Sequence, residues 1–136
     1  MPIIKRILLV DDNEADNVYH EIVLRRAGFD GRVDVCESGQ AALDYLQRSA
    51  QWPELILIDI NMPGMDGFGF VAAVTTLLQG RAITLVMLTS SGAAQDRQRA
   101  KSLATISDYL VKPLTVEAAS KLLQRSASVV ADDTCN

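Results

Sequence analysis

Leu55-Ile56-Leu57-Ile58-Asp59 is the stretch that decides the fold of this 136-residue chain. Four apolar residues run without interruption into a carboxylate and then a turn, Asn61-Met62-Pro63-Gly64. A strand with one wet face alternates apolar and polar residues. A run without alternation belongs to a strand covered on both faces, the pattern of a parallel sheet under two helix layers. Working outward, Ile7–Val10 and Ile83–Leu88 are runs of the same kind, and Val33–Cys36 and Tyr109–Val111 complete a set of five. Between them apolar residues recur at helical spacing. Ala15, Val18, Tyr19, Ile22 and Val23 form such a stripe, with Gly28 as the residue just past the helix end. Ala42, Leu43 and Leu46 mark a second helix; Phe70, Val71, Val74, Leu77 and Leu78, ending near Gly80, a third; Val116, Ala119, Leu122 and Leu123 a last one. The stretch 93–103 is mostly polar, so its helix is expected to bury only a narrow stripe. Five strands alternating with five helices predict an α/β fold, a doubly wound (βα)5 three-layer sandwich on a five-stranded parallel sheet.

Composition agrees with one such unit. Apolar residues make up 49% and charged residues 22%, which excludes a disordered chain; aromatics are only 5%, so the core is aliphatic. A net charge of −4 gives no phosphate-neutralising field and argues against nucleic acid as a partner. The first apolar run stops at Asp11, too short for a signal-peptide core, and nothing approaches a membrane span. Cys36 lies in an apolar alternation and Cys135 in a polar tail, which makes neither a disulfide framework nor a four-ligand zinc site. The expectation is a cytoplasmic domain over residues 1–130, a polar tail over 131–136, and a monomer or homodimer.

In such a sandwich, chemistry sits outside the carboxyl ends of the strands. The first run is followed by Asp11 and Asp12, the third by Asp59, the fourth by Thr89 and the fifth by Lys112. Clustered carboxylates repel one another and recruit a hard cation. Mg²⁺ suits the set, since it accepts one or two carboxylates with water and a phosphate oxygen. Each residue also has a plainer reading. Asp11, Asp12 and Asn13 can cap the first helix, Asp59 can serve a turn, the Thr89-Ser90-Ser91 loop can cap the fourth helix, and Lys112 can be solvated.

The segments Leu8-Leu9-Val10-Asp11-Asp12-Asn13, Leu57 to Gly67, Leu88-Thr89-Ser90-Ser91 and Tyr109-Leu110-Val111-Lys112-Pro113-Leu114 resemble the receiver domain of two-component response regulators, over roughly residues 4–130. The resemblance implies the flavodoxin-like strand order 2-1-3-4-5. It makes Asp59 the phosphoryl acceptor, with Mg²⁺ held by the side chains of Asp12 and Asp59, the backbone carbonyl of Asn61, and Asp11 largely through water. Lys112 would pair with the phosphoryl group and Thr89 would hydrogen-bond it. Thr89 and Tyr109 would act as switch residues, and the Lys112–Pro113 peptide would be cis. The implied donor is a histidine kinase or histidine phosphotransfer protein, and the implied output is phosphorylation-dependent binding of another protein by a stand-alone module, not an enzyme of metabolism. Two departures stand out: Thr105 where receivers often have Gly four residues before the aromatic, and Ser90 for the commoner Ala. An aspartyl phosphohydrolase would want Asp at position 61, and an FMN carrier would not place Asp11 and Asp12 in its phosphate loop.

Other residues invite roles the pattern does not support. His20, the only histidine, reads as structural rather than as a phosphohistidine, and Trp52 as cover for a core edge. Arg97, Arg99 and Lys101 read as a solvated helix face, with a docking patch as the alternative. Gly64, Gly67 and Gly69 lack the Lys-Ser/Thr ending of a nucleotide loop and fit a turn.

Overall fold

A computed structural model describes residues 4–124, except Gln79 and Ser91. The expected domain end at 130, the tail 131–136 and Cys135 lie outside the described residues. The elements in chain order are β1 (Arg6–Val10), α1 (Glu14–Arg26), β2 (Arg32–Cys36), α2 (Gly39–Arg48), β3 (Leu55–Ile58), α3 (Gly67–Leu77), β4 (Thr84–Thr89), α4 (Ala94–Lys101) and β5 (Ile106–Val111). A fifth helix, α5, covers residues 116–124. All strand pairs are parallel, as the uninterrupted apolar runs predict, and the sheet order is β2-β1-β3-β4-β5, as the resemblance implies. No helix among the described residues is long and apolar enough to cross a membrane.

The uninterrupted runs are buried on both faces because successive side chains point to opposite sides of the sheet. Leu8, Val10, Ile56, Ile58, Leu85 and Met87 pack with residues of α2, α3 and α4. Ile7, Leu9, Leu55, Leu57, Val86 and Leu88 pack with Val23 and Leu24 of α1 and Ala119 and Leu122 of α5. Each such aliphatic side chain stabilises the fold by about 1.5–3 kcal/mol relative to exposure.

Helix starts are set locally. Asn13, Ser38 and Asp66 cap α1, α2 and α3, each accepting a hydrogen bond from a backbone N–H of the first turn. Asn13 therefore takes the capping role that the sequence left open among Asp11, Asp12 and Asn13. The N-cap of α4 is Ala93, which makes no side-chain cap hydrogen bond. Gly28 follows the α1 C-cap with φ +103°, a conformation that glycine adopts without strain. At Gly67 the need is space: a Cβ there would lie 2.5 Å from the backbone oxygen of Asp59. The start of α3 can thus pack directly on the loop that carries Asp59.

The expected stripe of α1 is corrected. The helix forms where expected, but Val18, Tyr19 and Ile22 are 56%, 49% and 46% exposed, and Ala15 is exposed as well. The buried residues are Asn17, His20, Val23 and Leu24. The physical reason is that Val23 and Leu24 bury on the inward face, and a hydrogen bond from Asn17 Nδ2 to the Asp11 carbonyl, 2.9 Å, satisfies the polar residue that is turned inward with them.

Candidate functional site

The chain leaves β1 toward β2 on one side and returns to β3 on the other, so the loops after β1 and β3 open a cleft between them. Val10 and Ile58 are register partners, and Asp59 N–H donates to the Val10 carbonyl, 3.0 Å, which sets the carboxylates that follow the two strands side by side. Asp11, Asp12 and Asp59 each place a carboxylate oxygen within 4.8 Å of the others; Asp11 and Asp59 are buried and Asp12 is exposed. Asn61 lies exposed in the β3–α3 loop, which is held by hydrogen bonds from Met62 N and Gly67 N to the Ile60 carbonyl.

Lys112, just past β5, reaches this cluster. Its Nζ lies 2.6 Å from Asp11 Oδ2, 2.8 Å from Asp16 Oδ2 and 3.5 Å from Asp59 Oδ2. The Lys112–Pro113 peptide is cis. Burial alone would lower the Lys112 pKa, but the hydrogen bonds to Asp11 and Asp16 and the field of Asp59 outweigh it and hold the ammonium charged. Burial raises the pKa of Asp11 against the opposing bonds from Lys112 and the Asn13 N–H. Thr89, at the end of β4, is fully buried, and its carbonyl accepts from Lys112 N–H, 2.8 Å, tying the ends of β4 and β5 together.

The donor set fits a hard divalent cation. Among the described residues, Asp59 Oδ1 is a buried oxygen without a hydrogen-bond partner. A buried carboxylate oxygen in that state is costly unless something positive meets it. Both oxygens of Asp11, by contrast, are engaged, Oδ1 by Asn13 N at 3.0 Å and Oδ2 by Lys112.

Two neighbours of the site escaped the sequence reading, and a third was read as structural. Asp16 joins the Lys112 network, Asn17 holds the Asp11 carbonyl, and His20, singled out as structural, is buried in a cleft lined also by Asp11, Asn17 and Asp59. Burial, with the nearby Lys112 charge, lowers the His20 pKa. An acidic residue in the first turn of a helix reads simply as a partner for the helix dipole, so Asp16 carried no distinguishing signal. Tyr109, on β5, is buried, with the Arg97 guanidinium 4.8 Å over its ring, and Arg99 lies 4.2 Å over Phe68. These arginines cover aromatic rings and are more than a solvated face. With Lys101 and Ile106, Arg97 and Tyr109 line a groove of about 220 Å³. Trp52 is half-buried against the core beneath Arg81, as a core-edge residue would be.

Known proteins share this arrangement. The response regulator receiver domain family matches residues 7–124. The probable methanogenesis regulatory protein FilR2 of Methanothrix harundinacea is 36% identical over 115 residues, covering 82% of this chain and 74% of that protein. Response regulator Rcp1 of Synechocystis is 30% identical over 125 residues, covering 88% of this chain and 84% of Rcp1. The Mn²⁺-bound form of Rcp1 superposes with a TM-score of 0.69, covering 91% of this chain and 92% of that one, at 30% identity. A two-component response regulator from Cytophaga hutchinsonii superposes with a TM-score of 0.86 at 27% identity, covering 93% and 99% of the two chains. Acceptance of a phosphoryl group on an aspartate is the function expected of this family. With its doubly wound fold, its acidic cleft at the β1/β3 switch point and a family match over nearly its whole length, this chain belongs to the receiver domains of two-component response regulators.

Proposed function

We propose that this protein accepts a phosphoryl group on Asp59 from a histidine kinase or histidine phosphotransfer protein, with Mg²⁺, and signals by phosphorylation-dependent binding of another protein. The observation that carries the reading is the convergence of Asp11, Asp12 and Asp59 within 4.8 Å, with the Lys112 ammonium 3.5 Å from Asp59.

Phosphoryl transfer needs positioning and charge neutralisation more than covalent machinery. The new bond joins an Asp59 oxygen to phosphorus as the bond from phosphorus to the donor's histidine nitrogen breaks. Asp12 and Asp59 would hold Mg²⁺ through side-chain oxygens and Asn61 through its carbonyl. Asp11, with both oxygens already hydrogen-bonded, would hold it through water. The cation, when bound, neutralises phosphoryl oxygens. The Lys112 ammonium would neutralise another, and the Thr89 hydroxyl would hydrogen-bond the group. The new dianion would then act on Thr89 and Tyr109, the second of which lines the groove beside α4. The exposed apolar stripe Ala15, Val18, Tyr19 and Ile22, on the helix that begins beside Asp12, favours a protein as the physiological donor.

Acetyl phosphate with Mg²⁺ should add one phosphoryl group by intact mass, and Asp59→Asn should abolish the labelling. Undiminished labelling of Asp59→Asn would move the acceptor elsewhere and end this reading.

A further inference from the structure

Lys112 carries three N–H donors, and two of them are committed to carboxylates before any phosphoryl group is present. Asp11 Oδ2 lies 2.6 Å and Asp16 Oδ2 2.8 Å from Nζ, whereas Asp59 Oδ2 lies at 3.5 Å and makes no hydrogen bond with it. A shift of the ammonium toward a group on Asp59, closing the 3.5 Å separation, would lengthen one of its present contacts. The two contacts differ in cost. The Asp11 side chain is 6% exposed and tied through its other oxygen to the Asn13 N–H, while the Asp16 side chain is 36% exposed. Water can replace a partner for Asp16 but not for Asp11. Asp16 is also outside the group of carboxylates that converge on the cation site. Its position is set from the backbone: Asn13 Oδ1 accepts from Asp16 N–H, 3.1 Å, fixing the first turn of α1 beside Lys112.

We propose that Asp16 is a positioning residue that draws the Lys112 ammonium toward the mouth of the pocket in the resting protein and releases it to the phosphoryl group. The inference rests on the acceptor reading of Asp59. Asp16 thereby opposes phosphorylation twice: it occupies the ammonium, and it adds a negative charge where an anionic donor must approach.

The test compares wild type, Asp16→Asn and Asp16→Glu in labelling by acetyl phosphate at saturating Mg²⁺. Asp16→Asn should label about two- to fivefold faster, the range set by a half-exposed ion pair, and Asp16→Glu should return to near the wild-type rate. A structure of the wild-type protein with beryllofluoride as the phosphoryl stand-in should show Lys112 Nζ on a fluoride and beyond hydrogen-bond reach of Asp16. That arm needs no variant to fold. Labelling of Asp16→Asn at or below the wild-type rate, or an intact Lys112–Asp16 contact in the beryllofluoride form, would overturn the proposal alone. A wild type that takes no label would overturn the acceptor reading and this proposal with it.

Discussion

His20 shows how a single residue is set by its surroundings rather than by its type. It packs edge-on to Tyr19, with ring centroids 5.9 Å apart, and is buried beside Asn17 and behind Asp59. Burial and the Lys112 charge both disfavour the imidazolium, and Asp16 and Asp59 only partly oppose them, so the pKa lies below the ordinary 6.5. The folded state therefore prefers neutral His20. As pH falls through about 6.5 the unfolded chain takes up a proton that the native state does not, and stability is lost from there down to the folded pKa. Without divalent metal, the melting temperature should fall as the pH drops below about 6.5, and His20→Leu should remove most of that slope. An equal slope in the variant would place the titrating group elsewhere. Cys36 shows burial acting on a thiol: its pKa is pushed up to about 11, so it is a packing residue with little thiolate at neutral pH.

At the scale of an element, α1 separates two faces by function. Its inner face, Asn17, His20, Val23 and Leu24, joins the core and the back of the site; its outer face, Val18, Tyr19 and Ile22, is apolar yet exposed. Leu24→Ala should cost about 2–5 kcal/mol of unfolding free energy, because it leaves a cavity in a packed interior. Ile22→Glu should stay within about 0.5 kcal/mol, as surface changes do. Urea melts of the two variants check the assignment, and a large loss in Ile22→Glu would show that the outer stripe is packed after all. The contrasting element is α4, which buries only Ala100 and holds its neighbours through Arg97 on Tyr109 and Arg99 on Phe68. Few apolar contacts would be broken by its displacement, which suits a surface that reports on the site.

For the molecule as a whole, the acidic cleft stands against stability. Asp11, Asp16 and Asp59 lie around one ammonium, Asp12 lies beside Asp11 and Asp59, and the like charges among them repel. A cation that binds only the native state raises stability by mass action, about 2.7 kcal/mol at a hundredfold excess over its dissociation constant. Mg²⁺ should therefore raise the melting temperature of the wild type. Asp12→Ala should lose that shift while being no less stable than the wild type without metal. A metal-induced shift that survived in Asp12→Ala would show that this carboxylate does not hold the cation.

The runs Ile7–Val10, Leu55–Ile58 and Ile83–Leu88 predicted a parallel sheet covered on both faces, because such strands have no room for alternation, while the strand order followed from the family resemblance. Asp11, Asp12, Asp59, Thr89 and Lys112 were legible as one site for the same reason: the ends of parallel strands all open on one rim. Tertiary structure alone decided the rest. The stripe Val18, Tyr19, Ile22 has helical spacing whichever way the helix is turned, and its direction goes with the packing of Val23 and Leu24 in the core and the buried bond from Asn17 to the Asp11 backbone. Likewise no spacing in the chain foretells that Asp16 meets Lys112, 96 residues away. Periodicity records which residues share a face, but what that face meets depends on how distant elements pack.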